Sequence, residues 1–142
     1  MRINKIVDYT EIYKDKEIVK LISQSMFNPN LGKIQNIAEG IYSKQQGIFY
    51  TAVIDDHIVG IMGLNRLNPK RVEIMHIAVD EEIGIKNIER DMIYKVKELF
   101  SDTRMVIEIN DSEVKHYRKL GFSAKKIISD NLRLSHNICM LE

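Results

Sequence analysis

The sequence predicts an α/β (α+β) fold: a mixed, mostly antiparallel central sheet with one parallel β-α-β crossover and flanking helices. Two observations carry this prediction. Three strand-like segments in the middle of the chain are separated only by short turns, which is typical of antiparallel pairing. A helical pattern then separates the third of these strands from a fourth, and a strand–helix–strand connection of about two dozen residues is a right-handed parallel crossover.

Length and composition indicate one domain over residues 1–142, because no Pro/Gly/Ser-rich linker divides the chain and 44% of its residues are hydrophobic. The net charge of +1 gives no overall field that would attract nucleic acid or an anionic membrane. The longest apolar runs fall well short of the roughly 20 residues of a membrane span. The single cysteine, Cys139, is predicted to be a buried thiol, and a cytoplasmic location is expected.

The first third of the chain predicts one strand followed by two helices. Arg2 to Val7 is an apolar run typical of a short strand, and Asp8 and Thr10 are candidate helix caps. Apolar residues then recur at helical spacing: Ile12, Ile18, Val19, Ile22 and Met26. Asn28-Pro29-Asn30 breaks this helix. A second helix is predicted from Ile34, Ile37, Ala38 and Ile41, and Gly47 ends it.

The middle of the chain contains the clearest strand patterns. Ile48–Ile54 and His57–Leu64 are predicted as a hairpin around Asp55-Asp56, and Arg71–Val79 is predicted as the next antiparallel strand. The long helix of the crossover follows. Its apolar face is formed by Ile85, Ile88, Met92, Val96 and Leu99.

The last third predicts a strand, a short helix and two closing strands. Met105–Ile109 is the β-branched strand after the crossover. Asn110 is a candidate cap for the short helix, Glu113 is placed to complete a capping box, and Gly121 is placed to end the helix. The two closing strands are predicted at Phe122–Ser129 and His136–Leu141.

Two stretches carry more specific motifs. Residues 77–83, Ile-Ala-Val-Asp-Glu-Glu-Ile, lead from a strand into the long helix. Residues 108–122 run from a strand through Asn110 into a helix that ends His116-Tyr117-Arg-Lys-Leu-Gly-Phe. Together with the Tyr50–Leu64 hairpin and the order of elements, these stretches resemble the GNAT acyltransferase superfamily over about residues 48–128.

The resemblance implies an N-acetyltransferase that moves an acetyl group from acetyl-CoA to an amine of a small molecule or protein by direct attack in a ternary complex. It implies no metal, and no metal-ligand spacing is visible. Acyl-CoA and an unidentified amine acceptor would be the partners, and the resemblance also admits a homodimer. The implied cofactor-binding residues are Ile77, Ala78, Val79, Gly84, Ile85, Lys86, Asn87, Ile88, Glu89, Arg90, Asn110 and Tyr117.

The phosphate-binding loop departs from the family pattern of Arg or Gln, two residues, Gly, one residue, and Gly or Ala. Gly84, Asn87 and Glu89 stand at these positions. Glycines let phosphates approach the backbone closely, whereas Glu89 brings a carboxylate near a polyanion. Lys86 and Arg90 offset this charge, and the backbone amides of a helix N-terminus bind phosphate whatever the side chains. We therefore expect weakened CoA binding rather than its loss.

The catalytic roles rest on the same resemblance. Tyr117 is predicted to protonate the departing CoA thiolate, because phenol and thiol have similar pKa values; the alternative is a tyrosine that only packs beside its helical neighbours. Glu73 is the predicted general base, and His76 is the second candidate. Their odd spacing places them on opposite faces of a regular strand, and a β-bulge would change that.

The altered loop also supports a different class of function. In this alternative the chain keeps the fold but has lost catalysis, and serves as a binding or interaction module. Acyl-CoA affinity distinguishes the two hypotheses.

Overall fold

The computed structural model describes residues 1–129 and 134–142, and seven strands run through these residues. They are β1 (Arg2–Lys5), β2 (Gly47–Ile54), β3 (His57–Asn68), β4 (Arg71–Val79), β5 (Arg104–Ile109), β6 (Ser123–Ser129) and β7 (Leu134–Leu141). They form a sheet in the order β1-β2-β3-β4-β5-β7-β6, in which the β4–β5 pair is parallel and the other pairs are antiparallel. The predicted mixed sheet with one parallel crossover is confirmed.

The helices lie in the predicted order. They are α1 (Glu11–Lys14), α2 (Lys16–Gln24), α3 (Leu31–Ile37), α4 (Ile88–Glu98) and α5 (Val114–Lys119). A π-helical turn (Ala38–Tyr42) continues α3, and 3₁₀ turns at Glu81–Ile83 and Asp111–Glu113 precede α4 and α5. None of the helices in the described ranges combines the length and apolar character needed to cross a membrane.

The prediction of one continuous first helix is wrong, because Asp15 divides it. Asp15 is extended, and its side chain accepts hydrogen bonds from the backbone N–H groups of Glu17 and Ile18 at 2.9 and 3.1 Å. A side chain that satisfies the first N–H groups of a helix begins a new helix at that point. The predicted cap at Asn110 also differs, since its Oδ1 accepts from the Ser112 hydroxyl at 2.6 Å and caps no backbone N–H.

Two apolar clusters pack against the sheet, and alternate residues of β3 enter different clusters. Met62 and Leu64 join a cluster with α4 and α5, whereas Ile61 joins a cluster with α1, α2 and α3. Successive side chains of a strand point to opposite faces, so the clusters lie on the two sides of the sheet. We call these sides the α4 face and the α2 face.

A β-bulge in β4 changes which of its side chains share a face. Gly63 pairs with His76 whereas the next residue, Leu64, pairs with Ile74, so Met75 is the extra residue on β4. Residues directly opposite in a ladder project to the same side. Glu73 and His76 therefore both project to the α2 face, in spite of their odd spacing.

The parallel ladder between β4 and β5 is short. It joins Arg71, Val72 and Glu73 to Arg104, Met105 and Val106, and it ends there. From Ile74 onward the two strands separate, so the β5-facing N–H and C=O groups of β4 have no strand partner. This separation opens the sheet and positions the candidate site.

Candidate active site

A cleft of about 480 Å³ lies where β4 and β5 separate. Its walls come from the loop after α2 (Gln24–Phe27), the outer half of β4 (Ile74–Ile77), the end of β5 (Ile107–Ile109), Glu113 and Tyr117. The cleft thus combines groups from both faces of the sheet. A larger hollow of about 630 Å³ runs beside β1 and α1, but it contains none of the predicted site residues.

Tyr117 lies on α5, with only 4% of its surface exposed, and its ring packs edge-on against Phe122. Its hydroxyl has no hydrogen-bond partner among residues 1–129 and 134–142, and Arg71 Nε is the only buried side-chain N or O atom in those ranges without one. The Tyr117 hydroxyl is therefore reached by solvent from the cleft. Burial, aided by Glu89 and Glu113, raises its pKa above the ordinary value, so the phenol carries its proton at neutral pH.

His76 lines the same cleft from the α2 face. Its Nδ1 lies 2.5 Å from the hydroxyl of Tyr42, which is 7% exposed at the end of the π-helical turn. Burial lowers the pKa of His76 to about 4, and the imidazole is neutral at physiological pH. The sequence gives no signal for Tyr42, because a single tyrosine in a helical pattern is indistinguishable from a core residue.

Glu73 shares the α2 face with His76 but does not line the cleft. It lies opposite Asn65 and Val106, at the point where β4 and β5 are still paired. Burial raises the pKa of its carboxyl, and the nearby Glu108 adds to the shift. A raised pKa makes Glu73 a stronger base, although a proton from the cleft would reach it through water.

A second hollow, of about 360 Å³, lies at the start of α4. Six predicted cofactor-binding residues line it: Val79, Ile85, Asn87, Ile88, Glu89 and Arg90. Ile77 lines the cleft instead, and Ala78 packs into the cluster on the α2 face. Gly84, Lys86 and Asn110 line neither space. Since β4 and α5 contribute to both, the cleft and the hollow lie along the same strand and helix.

The first turn of α4 has backbone N–H groups that no side chain of the described residues caps. Asn87 precedes the helix with a left-handed φ of 66°, as does Gly84 at 69°, and the Asn87 side chain caps no backbone N–H. No side chain therefore competes for the first N–H groups of α4, beginning at Ile88. Uncapped amides and the helix dipole favour negative charge at this position.

The carboxylate of Glu89 is not isolated in this hollow, because Nε2 of His116 donates a hydrogen bond to it. His116 stands next to Tyr117 on α5, so the pair ties α4 to the helix that carries the predicted acid. Asp80 and Glu81 add further carboxylates to the lining, against Arg90 as its one lysine or arginine among the described residues. A phosphate group in this hollow would meet more carboxylates than cationic side chains. Its attraction would therefore have to come from the backbone N–H groups.

Acidic groups also line the cleft itself. Glu108 and Glu113 contribute carboxylates, whereas no lysine or arginine appears among its described lining residues. Glu108 lies 3.4 Å from Nε2 of His136. Phe27, 88% exposed, adds an apolar side chain to the lining of the cleft.

In the described residues no cluster of His, Cys, Asp and Glu is arranged to hold a metal ion.

Comparison with known proteins shows which family this chain resembles. Residues 10–122 match the model of the acetyltransferase (GNAT) family. YvbK of Bacillus subtilis (strain 168), named as an uncharacterized N-acetyltransferase, is 34% identical over 92 residues. That match covers 61% of this chain and 59% of the relative, so it spans less than two thirds of the relative's length.

Solved structures share the fold. The aminoglycoside 6'-N-acetyltransferase from Enterococcus faecium superposes with a TM-score of 0.74 at 14% identity, over 99% of this chain and 95% of that one. A Bacillus subtilis acetyltransferase in complex with CoA gives a TM-score of 0.66 at 22% identity, over 99% and 97% of the two chains.

The left-handed backbone of Asn87 yields a stability prediction. Asn87→Ala should lower the free energy of unfolding by about 1 kcal/mol, because a Cβ without a polar partner disfavours positive φ. Asn87→Gly, the matched control, should leave the stability unchanged or raise it. Chemical denaturation of both variants measures the difference, and equal stabilities would show that the loop does not hold this conformation.

Proposed function

The chain belongs to the acetyltransferase (GNAT) family, and on this premise we propose that it is an N-acetyltransferase that uses acetyl-CoA as co-substrate. The observation that carries the proposal is the separation of β4 from β5, which opens a cleft lined by Tyr117. We propose that residues 1–142 act as one acyltransferase domain in the cytoplasm. A homodimer belongs to the proposal as well.

Acetyl-CoA binding follows from the backbone that the separation leaves unpaired. The pantetheine arm carries amides, which can pair with the β5-facing groups of Ile77 and Val79 like an added strand. The pyrophosphate then reaches the uncapped first turn of α4. Because His116 donates to Glu89, part of the carboxylate's repulsion towards phosphate is offset.

The proposed acetyl transfer uses side chains from both faces of the sheet. The lone pair of the acceptor amine attacks the thioester carbonyl carbon, and the carbonyl π electrons move to oxygen. The amine proton leaves to a base, and collapse of the tetrahedral intermediate breaks the C–S bond. Tyr117 gives its proton to the departing thiolate. Its raised pKa keeps the phenol protonated until that step but also makes it a weaker acid than an ordinary phenol.

We propose Glu73, acting through water, as the base. Its raised pKa and its position on the α2 face, the face from which His76 lines the cleft, support this role. His76 lies closer to the cleft, but its pKa of about 4 makes it a weak proton acceptor.

The lining of the cleft indicates the class of acceptor. Glu108 and Glu113 attract a cation, and the absence of a lysine or arginine among the described lining residues leaves a substrate carboxylate without a partner. Phe27 and Met75 add apolar surface. We therefore propose cationic amines that carry an apolar or neutral body and no carboxylate.

Calorimetric titration of the full chain with acetyl-CoA tests the proposal first. We expect micromolar affinity, and release of CoA with tyramine or kanamycin but not with phenylalanine, whose carboxylate meets Glu108 and Glu113. No heat up to millimolar acetyl-CoA would contradict the proposal and would favour a non-catalytic binding module instead.

Tyr117→Phe should lower kcat by about a hundredfold or more, because general acid catalysis contributes roughly this much, and should leave the Kd of acetyl-CoA nearly unchanged. Tyr50→Phe, at an equally buried tyrosine outside both spaces, is the matched control and should keep full activity. Steady-state kinetics and titration measure both quantities. Unchanged kcat in Tyr117→Phe would remove Tyr117 from the mechanism.

Glu89→Gln and Glu89→Gly should each tighten acetyl-CoA binding, on the order of threefold, because both remove a carboxylate near the pyrophosphate. His116→Ala should weaken binding, since it leaves Glu89 without its partner. Glu98→Gln, at the other end of α4, removes the same charge far from the hollow. It is the matched control and should leave the affinity for acetyl-CoA unchanged. Identical affinities across the series would show that the phosphates bind elsewhere.

A further inference from the structure

The Tyr42–His76 pair depends on two departures from regular structure and on one glycine. The π-helical turn that ends at Tyr42 projects its ring towards the sheet. The bulge at Met75 turns His76 to the same face. Gly63 lies directly opposite His76 in the ladder, and a Cβ there would sit only 1.9 Å from the Tyr42 hydroxyl. π-Helical turns and β-bulges are both frequent at functional sites.

The geometry decides which atom of His76 carries the proton. Nδ1 of His76 is the one hydrogen-bond partner of the Tyr42 hydroxyl in the described residues. Burial raises the pKa of Tyr42, so the hydroxyl keeps its hydrogen and needs an acceptor. If Nδ1 carried the imidazole hydrogen, the buried Tyr42 hydroxyl would have no acceptor for its own hydrogen. A buried donor without an acceptor loses its hydrogen bonds to water without compensation, which is unfavourable. The hydrogen of the neutral ring therefore lies on Nε2.

Nε2 of His76 is reached by solvent. It makes no hydrogen bond to the residues that the structure describes, and it is not among their buried atoms that lack a partner. Since the ring lines the cleft, Nε2–H is a donor available to a bound molecule. It enters from the α2 face with the loop Gln24–Phe27, whereas Tyr117 belongs to the cluster on the α4 face.

We infer that Tyr42 is a positioning residue that fixes His76 as the Nε2–H tautomer, so that His76 donates a hydrogen bond to an oxygen of the acceptor substrate. The inference rests on the proposed function and deepens it. It assigns His76 to substrate recognition and leaves proton removal to Glu73. It also narrows the acceptors to cationic amines with a hydroxyl or carbonyl oxygen close to the amino group.

The other ionisable groups around the cleft do not take over this role. Glu108 on β5 and Glu113 before α5 are acceptors when ionised, and they suit the ammonium group. In the proposed reaction, Tyr117 donates its hydrogen to the CoA thiolate.

Of the neutral donors in the lining, the Ser25 hydroxyl already donates to the Ile22 carbonyl oxygen. Gln24 and His76 are the described lining residues whose side-chain N–H groups can meet a neutral oxygen, and His76 is the one that a second side chain, Tyr42, holds in place.

The tautomer can be measured without any substrate. In the full chain labelled with ¹⁵N-histidine, long-range ¹H–¹⁵N spectra at pH 7 should show Nδ1 of His76 unprotonated and Nε2 protonated. Tyr42→Phe should abolish this preference, and Tyr50→Phe should preserve it. A protonated Nδ1 in the wild type would overturn the inference, even if acetyl transfer is found.

Kinetics test the donor role with two matched probes, 2-phenylethylamine and 2-amino-1-phenylethanol, which differ by one hydroxyl. The wild type should favour the hydroxylated amine by about tenfold in kcat/KM. His76→Ala should remove this preference, whereas His76→Gln, whose amide also donates, should retain most of it. Failure of wild type to acetylate either amine while acetylating tyramine would overturn the acceptor class inferred here.

A double-mutant cycle separates positioning from general damage to the fold. Tyr42→Phe should lower the preference for the hydroxylated amine in the wild type and have little further effect in His76→Ala. Equal effects in both backgrounds would show that Tyr42 acts on stability alone. Loss of kcat in His76→Gln together with loss of an ionisation from the pH–rate profile would make His76 a base and overturn the inference.

Discussion

The short ladder between β4 and β5 is the constraint on which the rest of the site depends. Three residues of β4 pair with β5, and the following six diverge from it. A continuous ladder would satisfy the backbone of β4 internally and close the cleft. Because it ends early, the sheet exposes a row of polar backbone groups at its centre, between two apolar clusters that keep the rest of the strands in place.

In the proposed mechanism the two faces of the opened sheet have different roles. On the α4 face, a tyrosine with a raised pKa and an uncapped helix start would meet the thioester and its phosphates. On the α2 face, the bulge at Met75 brings Glu73 and His76 to the same side of the sheet. One extra residue in β4 therefore decides which of these side chains could meet the amine, since a regular strand would send one of them to the opposite face.

Much of the fold could be predicted from the sequence, because its central strands are apolar runs divided by short turns, and the two aspartates of the central turn accept positive φ, at 49° and 64°. The break at Asp15 was missed, since local capping competes with helical periodicity over only a few residues. The bulge, the π-helical turn and the contact between Tyr42 and His76 depend on tertiary packing. No spacing pattern reveals that Gly63 leaves room for a tyrosine 21 positions earlier in the chain.

The start of α4 has a consequence for how such proteins are recognised. Its first N–H groups stay uncapped with Asn87 before them, at a positive φ that glycine would also adopt. The backbone at this point therefore does not require the glycine of the motif, and a search for the glycine signature alone would pass over a chain with this geometry.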